Sequence, residues 1–267
     1  MSEERGSIEH HYAVERLTER LLTAITRAGL DVDSLREADL GELGEFHTAG
    51  RALTERLADA AGIDAGCRVI DVGAGVGGPA RYLAANRGAT VTAVDLVDEF
   101  CAAARELNRR TGLADRVEIV RGSATDLRFA VGAFDVVWTQ HLAMNIEDKH
   151  ALYTGFRRVV PDGGKLAFFD IVAGDGGPIH LPVPWASERG QSFLEPPEVI
   201  RRLVEATGWR PLRWDDPTDE LLAAGPVATG ELGPQLLMDD AETKVATYRR
   251  NLTEGRTRLL LAVCEAV

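Results

Sequence analysis

The sequence predicts an α/β fold in which a doubly wound parallel sheet carries helices on both faces. Two observations support this prediction: short apolar segments alternate with helical periodicity from residue 68 onward, and four glycines follow the first apolar segment closely. Strands buried on both faces read as continuous apolar runs, and their alternation with helices is typical of a parallel sheet. At 267 residues the chain is long enough for one such domain with additions.

The first strand, its loop and the following helix are the most distinctive part of the chain. Residues 68–72 form the apolar run, and the four glycines lie between residues 73 and 78. Glycines allow a sharp turn and a close approach of the backbone to a ligand. Pro79 suits the first turn of a helix, where its missing N–H costs nothing. This stretch predicts a strand, a ligand-binding loop and a helix.

Two helices are expected ahead of that strand. Residues 8–27 place apolar side chains at helical spacing before Gly29, and residues 48–61 show a second helical pattern. Both are candidates for a lid over the open side of a ligand site. Between them lie Phe46 and His47, which put an aromatic ring and a titratable ring at the helix entrance.

The later elements follow in alternation, with the turn at residues 161–164 before the fifth strand. Strands are expected at 90–94, 116–120, 134–139, 165–172 and 209–214, and helices at 98–110, 149–159, 197–206 and 238–253. Residues 173–194 are rich in glycine and proline, and their length suggests a functional loop. The final segment, 258–267, is ambiguous between helix and strand.

Composition excludes some classes of function. The 42 acidic residues outnumber the 30 Lys and Arg, giving a formal net charge of −12, so a nucleic-acid partner is not expected. The cysteines, Cys67, Cys101 and Cys264, lack metal-ligand spacing and suit a reducing compartment. The N-terminus has no apolar signal core and no apolar run is long enough to cross a bilayer. We therefore expect a cytoplasmic protein without a membrane partner.

The residues around the glycine loop indicate the charge of the ligand. The spacing G-x-G-x-x-G alone is typical of dinucleotide sites. Asp71, however, comes directly before the loop, where a carboxylate is a poor neighbour for pyrophosphate and a good one for a cation. The first basic residue after the loop is Arg81, so the loop itself offers no cation to a phosphate. S-adenosylmethionine carries an amino cation and no phosphate, and Asp95, after the second strand, can accept hydrogen bonds from its ribose.

The glycine loop with its leading Asp71 resembles the cofactor motif of class I S-adenosylmethionine-dependent methyltransferases. With Gly122-Ser123-Ala124 after the third strand, the chain is similar to the small-molecule group that includes ubiquinone/menaquinone C-methyltransferases, tocopherol methyltransferases and sarcosine/dimethylglycine N-methyltransferases. The motifs cover residues 45–214. The resemblance implies a Rossmann-like, seven-stranded methyltransferase sheet whose last strand is antiparallel, with helical lid additions. It thereby favours a strand for 258–267.

The resemblance also implies the cofactor, S-adenosylmethionine, and the product S-adenosylhomocysteine. The residues expected to bind the cofactor follow the strands at one edge of the sheet; they are Asp71, Gly73, Ala74, Gly75, Gly77, Asp95, Leu96, Ser123, Ala124 and Gln140. In this group an acidic residue usually stands where this chain has Ser123. Its hydroxyl is a weaker acceptor for the adenine amino group, which affects cofactor affinity rather than identity.

Two histidines are the candidate catalytic residues. His141 lies in the segment expected to face the substrate and has a suitable pKa range for a base or a substrate anchor; the alternative is a neutral histidine that hydrogen-bonds the loop. His47 is the second candidate, because a Phe-His pair with a glycine three residues later recurs in similar sequences; the alternative is a lid residue tied to backbone. Methyl transfer often requires positioning more than a base.

An apolar acceptor pocket is expected next to these histidines. Its candidate residues are Phe46, Met144, Asn145, His180 and Trp185, although aromatic and methionine side chains more often fill the core. The carboxylates Glu147, Asp148 and Asp170 form no obvious cluster, so no metal site is predicted.

The sequence thus predicts an enzyme with four parts: an N-terminal helical lid (1–62), a cofactor-binding core (63–215), a helical substrate-side addition (216–257) and the final core strand (258–267). The predicted function is methyl transfer to N, O or C of a small-molecule acceptor, with secondary metabolism as one setting. One alternative is a protein of the same fold that binds the cofactor but catalyses cyclisation or another non-methylating reaction. A nicotinamide oxidoreductase and a nucleic-acid methyltransferase are less favoured. The oligomeric state stays open, with a homodimer as one option.

Overall fold

The computed structural model of the chain describes residues 11–12, 14–45, 47–48, 50–224 and 231–267. The strands are β1 Arg68–Val72, β2 Thr90–Asp95, β3 Val117–Arg121, β4 Val136–Gln140, β5 Lys165–Ala173, β6 Trp209–Asp215 and β7 Thr257–Ala266. The helices are α1 Leu17–Arg27, α2 Gly41–Gly44, α3 Gly50–Ala61, α4 Gly78–Arg87, α5 Asp98–Arg110, α6 Lys149–Arg158, α7 Pro197–Ala206, α8 Thr218–Ala224 and α9 Ala241–Thr253.

All seven strands belong to one sheet in the order β3-β2-β1-β4-β5-β7-β6. The pairs among β1 to β5 are parallel, and β7 runs antiparallel to both β5 and β6. The predicted fold class and the antiparallel final strand are confirmed. The strand order reverses between β1 and β4, and a crevice at the carboxyl ends of such a pair is where open α/β sheets bind ligands.

For most strands, the first and last residues differ from the expected ones by one or two positions. The differences are larger in the helical additions. The helix expected at 238–253 begins at Ala241. The helix expected at 8–27 begins at Leu17, because residues 14–16 are not helical and Arg16 has a left-handed φ of 54°; residues 1–10 lie outside the described part. Helix α8 was not predicted. Its start is fixed by the Asp216 carboxylate, which accepts hydrogen bonds from the backbone N–H and the hydroxyl of Thr218.

Helices cover the sheet on both faces and form two apolar cores. On one face, α3 and α4 pack over Val69 and Trp138. On the opposite face, α6 and α7 pack over Val137. Helix α3 therefore belongs to a layer of the core, against β5 and β7, rather than standing apart as a cover.

A third apolar cluster joins the N-terminal region to the core. Leu21 and Ile25 of α1 pack against Phe100 and Leu107 of α5, and Val76 of the glycine loop belongs to the same cluster. The N-terminal segment thus lies on the helix that follows β2 and contacts the loop after β1.

The glycine loop and α2 approach each other so closely that a side chain at Gly78 would collide with the carbonyl of Gly44. Alanine at a helical glycine normally stabilises by about 0.5–1 kcal/mol. We expect Gly78→Ala to lower the free energy of unfolding by about 1–3 kcal/mol instead, because the backbone must shift. Gly155→Ala in α6 is the control, since its Cβ would meet only Ala124 O at 3.9 Å. Urea denaturation followed by circular dichroism measures both; equal stability of the two variants would contradict the close approach.

Candidate active site

The loop after β1 turns through left-handed backbone at three glycines. The φ angles of Gly73, Gly75 and Gly77 are 77°, 55° and 79°, which other residues rarely adopt. The N–H groups of Gly73 and Ala74 both donate to the carbonyl of Val94, at 2.8 and 3.1 Å. The loop is therefore fixed to the end of β2, and only glycine fits its bends.

Asp71 lies beneath this loop and lacks a partner. The residue is 2% exposed, and its Oδ2 has no hydrogen bond among the residues that the structure describes. Burial, followed by the charges of Asp95 and Glu45, raises the pKa of Asp71 to about 8. An unpaired buried carboxylate is costly, so a ligand that brings a cation to this position would be bound favourably.

Asp95 connects the end of β2 to the same loop. Its Oδ2 accepts from the N–H of Gly75 at 2.7 Å, and its Oδ1 accepts from the N–H of Val97 at 2.9 Å. Burial raises the pKa of Asp95, and these backbone hydrogen bonds oppose the shift. Each carboxylate oxygen keeps a further acceptor position, so Asp95 can bind hydroxyl groups next to the loop.

The remaining residues expected to bind the cofactor lie around this edge. Ser123 forms a hydrogen bond with the hydroxyl of Thr125 at 3.0 Å, Leu96 is partly buried, and Ala124 packs against the core on the α6 side. Gln140 was expected to bind the cofactor, but its amide already forms hydrogen bonds within the chain. Trp138 Nε1 donates to Gln140 Oε1 at 3.1 Å, and Gln140 Nε2 donates to Thr54 at 3.2 Å.

These residues fit an adenosyl cofactor that carries an amino cation. Asp71 has an unpaired oxygen for the cation, and a Cβ built on Gly75 would meet no atom within 4 Å, so the backbone there is open to a ligand. Asp95 offers acceptor positions beside Gly75. Because the loop contributes neither Lys nor Arg, the charge pattern suits a cation better than a pyrophosphate.

Binding at this site is expected to depend on pH. With the pKa of Asp71 raised to about 8, the carboxyl is protonated at neutral pH and must ionise to pair with a cation. The affinity for S-adenosylhomocysteine should therefore rise up to about tenfold per pH unit between pH 6 and 8 and level off above pH 8. Calorimetric titrations in buffers of different ionisation heat would show release of about one proton near pH 7. An affinity independent of pH over this range would contradict the pairing.

His141 begins the segment after β4 and has an unusual backbone. Its φ is 53°, and its N–H donates to Phe169 O at 2.8 Å. The ring lies 5.0 Å from the ring of Phe169 and 5.9 Å from that of His47, centroid to centroid. Its Nε2 is buried and has no partner among the described atoms. Burial, and then the charge of His47, lower the pKa of His141 well below its usual value, so the ring is neutral at pH 7.

His47 is brought to His141 by a buried polar cluster. Its side chain is 4% exposed; Nε2 lies 2.6 Å from Glu45 Oε2 and Nδ1 lies 3.1 Å from the carbonyl of Thr48. Thr54 donates to the same Glu45 oxygen at 2.7 Å. The two candidate histidines therefore lie side by side, and His47 contacts a side chain as well as backbone.

Tyr12 and Tyr248 lie at this site and were not predicted from the sequence. The hydroxyl of Tyr12 donates to Asn145 Oδ1 at 3.0 Å, and burial together with the charges of Asp95 and Asp170 raises the pKa of Tyr12. Tyr248 of α9 forms a 2.9 Å hydrogen bond with the hydroxyl of Thr48. Both contacts join residues more than a hundred positions apart, for which the sequence carries no local signal.

The expected acceptor pocket is only partly assembled. Asn145 Nδ2 donates to the carbonyl of Trp185 at 2.8 Å, and Met144 belongs to the same apolar core. Trp185 is 1% exposed, packs edge-on against Tyr248 and donates to Ser192, so it forms a buried wall. His180 instead pairs with Glu254 on the surface. Phe46 lies outside the described residues.

The structure also shows where other expected groups lie. Within the described ranges, no cluster of three or more His, Cys, Asp or Glu side chains is arranged to hold a metal ion. Asp170 accepts hydrogen bonds from the N–H groups of Ala143 and Ile171, and the bond from Ala143 holds the segment after β4 against β5. Burial raises the pKa of Asp170 to about 6, although these hydrogen bonds act to lower it. No helix formed by the described residues is both long and apolar enough to span a membrane.

Sequence comparisons show which known proteins this chain is similar to. Residues 70–168 match the family model described as a methyltransferase domain. The glycine/sarcosine/dimethylglycine N-methyltransferase of Actinopolyspora halophila is 30% identical over 177 residues, which cover 66% of this chain and 31% of the relative. The erythromycin 3''-O-methyltransferase of Saccharopolyspora erythraea is 36% identical over 125 residues, which cover 46% of this chain and 41% of the relative.

A solved structure supports the fold over nearly the whole chain. The geranyl diphosphate C-methyltransferase from Streptomyces coelicolor A3(2), crystallised with S-adenosyl-L-homocysteine, superposes with a TM-score of 0.71 at 18% identity. The match covers 99% of this chain and 98% of that one. The chain spans less than half the length of the two curated relatives above.

Proposed function

We propose that this chain is an S-adenosylmethionine-dependent methyltransferase that acts on a small molecule. Its residues 70–168 match a methyltransferase domain, and its fold is that of a solved methyltransferase. The observation that carries the proposal is the unpaired, buried Asp71 beneath a glycine loop whose Gly75 N–H is held by Asp95. This arrangement favours a ligand with an amino cation and ribose hydroxyls over a dinucleotide.

Each part of the site has a role in this proposal. Asp71 holds the amino cation, Asp95 the ribose hydroxyls, and the backbone at Gly73, Ala74, Gly75 and Gly77 lies against the cofactor. Leu96, Ser123 and Ala124 surround the adenine, and Gln140, which accepts from Trp138 and donates to Thr54, acts through the polar cluster beside the site. When bound, the cofactor supplies an electrophilic methyl group, and S-adenosylhomocysteine is left after transfer.

The residues opposite the loop hold the acceptor. His141, neutral and close to the crevice, accepts a proton or hydrogen bond from the reacting group, and later passes the proton to solvent. Tyr12 and Asn145, joined by their hydrogen bond, cover the site from the N-terminal side and exclude water. Met144, Trp185 and Tyr248 provide the apolar wall. This arrangement positions donor and acceptor, which contributes most to a displacement at carbon.

The acceptor atom stays open between N, O and C, because the two curated relatives above are named for N and O and the solved structure for C. An erythromycin methyltransferase among them makes secondary metabolism a reasonable setting. The net charge of −12 argues against a nucleic-acid substrate. The free thiols of Cys67, Cys101 and Cys264 suit the cytoplasm, and we leave the oligomeric state open.

Methyl transfer can be tested with cofactor labelled in its methyl group. The purified chain is incubated with a library of amines, phenols, quinols and sugar hydroxyls, and the labelled product is identified. We expect one acceptor class to take up label with release of an equal amount of S-adenosylhomocysteine. Cofactor binding without label in any acceptor would favour the alternative of a non-methylating reaction on the same fold.

A further inference from the structure

Glu45, which sequence reasoning did not place in the site, lies at the centre of the polar cluster beside His141. Its side chain is 2% exposed. Oε2 receives His47 Nε2 at 2.6 Å and the hydroxyl of Thr54 at 2.7 Å, and Oε1 lies 2.8 Å from Arg51 Nε, within ion-pair distance but without hydrogen-bond alignment. A buried carboxylate with this number of partners holds its neighbours in one geometry.

Both ring nitrogens of His47 face oxygen atoms. Nε2 faces the Glu45 carboxylate, and Nδ1 lies 3.1 Å from the carbonyl of Thr48, which can only accept. A neutral imidazole has one N–H, whereas the imidazolium has two. An imidazolium is the form that satisfies both contacts, and the short distance to Glu45 is typical of a charge-assisted hydrogen bond.

Two groups could compete for His47 Nε2: the Thr54 hydroxyl, which lies 3.0 Å away but donates its proton to Glu45, and the amide of Gln140. Gln140 Nε2 lies 3.0 Å from His47 Nε2 and would donate to that nitrogen if it were unprotonated. The amide of Gln140 is oriented by Trp138 and donates to Thr54, so it does not need His47 as a partner. The contact with Glu45 is shorter and joins opposite charges, which favours the protonated ring.

We propose that Glu45 is a positioning residue that holds His47 as an imidazolium, so that one charged and one neutral imidazole lie side by side at the acceptor end of the site. The catalytic meaning of this pair rests on the proposed methyl transfer. The protonation of His47 itself does not, because it follows from contacts within the chain.

The charged groups near His47 are consistent with this assignment. Burial raises the pKa of Glu45, but the hydrogen bonds from His47 and Thr54 and the charge of Arg51 together bring it below its usual value, so the carboxylate is ionised. His141, on the segment after β4, is neutral, and the carboxyl of Asp71 is close enough to Glu45 for its pKa to be raised by that charge. His47 and His141 are therefore neighbouring titratable groups held in opposite protonation states.

The charged His47 and the neutral His141 also indicate which class of acceptor the site suits. Both N–H groups of His47 are used within the chain, so His47 acts on the acceptor through its charge, and His141 through its free lone pair. A fixed positive charge stabilises a developing oxyanion and disfavours a second cation. Within the proposed function, the site therefore suits a hydroxyl or enol better than a protonated amine.

The protonation state can be read directly by nuclear magnetic resonance. Long-range ¹H–¹⁵N spectra of the ¹⁵N-histidine protein at pH 7.5 distinguish an imidazolium from either neutral tautomer, and a His47→Gln variant assigns the His47 signals among the six histidines. An isolated histidine is mostly neutral at this pH. We expect imidazolium signals for His47 in the wild-type chain and their loss in Glu45→Gln. Glu37→Gln is the matched control, since Glu37 binds Arg51 and Asn86 rather than His47.

A neutral His47 in the wild-type chain, or an imidazolium that persists in Glu45→Gln, would overturn the assignment. The first of these outcomes does not depend on the folding of Glu45→Gln. Once an acceptor is known, Glu45→Gln should lower kcat about tenfold or more while changing the Kd of S-adenosylhomocysteine less than about threefold. If the wild-type chain fails to bind S-adenosylhomocysteine, the proposed function is contradicted while the spectra still decide the His47 assignment.

Discussion

The Asp71→Asn variant is expected to bind S-adenosylhomocysteine at least about 30-fold more weakly than the wild-type chain. Asparagine has nearly the same shape, so the loop keeps its backbone contacts, but it cannot pair with the amino cation. Truncating one partner of a buried charge pair costs about 2–5 kcal/mol in affinity. Isothermal titration calorimetry at pH 8, where the wild-type carboxyl is about half ionised, measures the difference.

The same substitution should stabilise the chain without ligand. Because the pKa of Asp71 is raised in the folded state, the folded chain binds this proton more tightly than the unfolded chain does. Its contribution to stability is therefore complete below pH 4 and is lost as pH rises toward 8. Asp71→Asn removes this loss, so its advantage in urea unfolding should grow across that range, by up to about 1.4 kcal/mol per pH unit. Asp115→Asn, at an exposed position, is the control. A variant that binds normally, or that is destabilised, would show that Asp71 has a structural role only.

The second large effect is expected at His141. Replacing it by asparagine should lower kcat by about 10²–10⁴-fold if its ring accepts the acceptor's proton, and change the Kd of S-adenosylhomocysteine less than about threefold. Asparagine is chosen because the φ of 53° at this position is strained for alanine and tolerated by asparagine. Steady-state kinetics with the acceptor from the labelling screen, together with calorimetry, separate turnover from cofactor binding.

The control for this substitution is His150→Ala, which changes an exposed histidine at the start of α6. It should leave both parameters unchanged. Equal turnover of His141→Asn and wild type would reduce His141 to a structural residue that fills the space between Phe169 and His47. A loss of cofactor affinity equal to the loss of turnover would instead indicate that the substitution displaces the loop after β4.

The sequence was sufficient to predict the parts of the site that depend on local pattern. Asp71 and Asp95 could be placed because Asp71 lies one residue before the end of β1 and Asp95 ends β2, and parallel strands bring their carboxyl ends to one edge. The antiparallel β7 was predicted through the family resemblance, since its apolar run alone does not separate helix from strand. The spacing of the glycines was informative because Gly73, Gly75 and Gly77 all adopt positive φ.

The residues that sequence reasoning missed depend on contacts between distant segments. Tyr12 meets Asn145 only because α1 packs on α5 and leads the N-terminal segment over the crevice. Glu45 has an acidic side chain next to a candidate histidine, yet its role depends on α3 bringing Thr54 to the same oxygen. His180 was assigned to the pocket from its loop alone, whereas the structure pairs it with Glu254. The spacing of residues along the sequence does not show which side chains of distant segments contact each other.

The most direct test of the account is a calorimetric comparison of S-adenosylhomocysteine and NADH on the wild-type chain at pH 8. The unpaired Asp71 and the absence of Lys and Arg from residues 73–78 favour a ligand with a cation and no phosphate. We expect S-adenosylhomocysteine to bind with one molecule per chain and NADH to give no heat of binding. Binding of NADH without binding of S-adenosylhomocysteine would contradict the account.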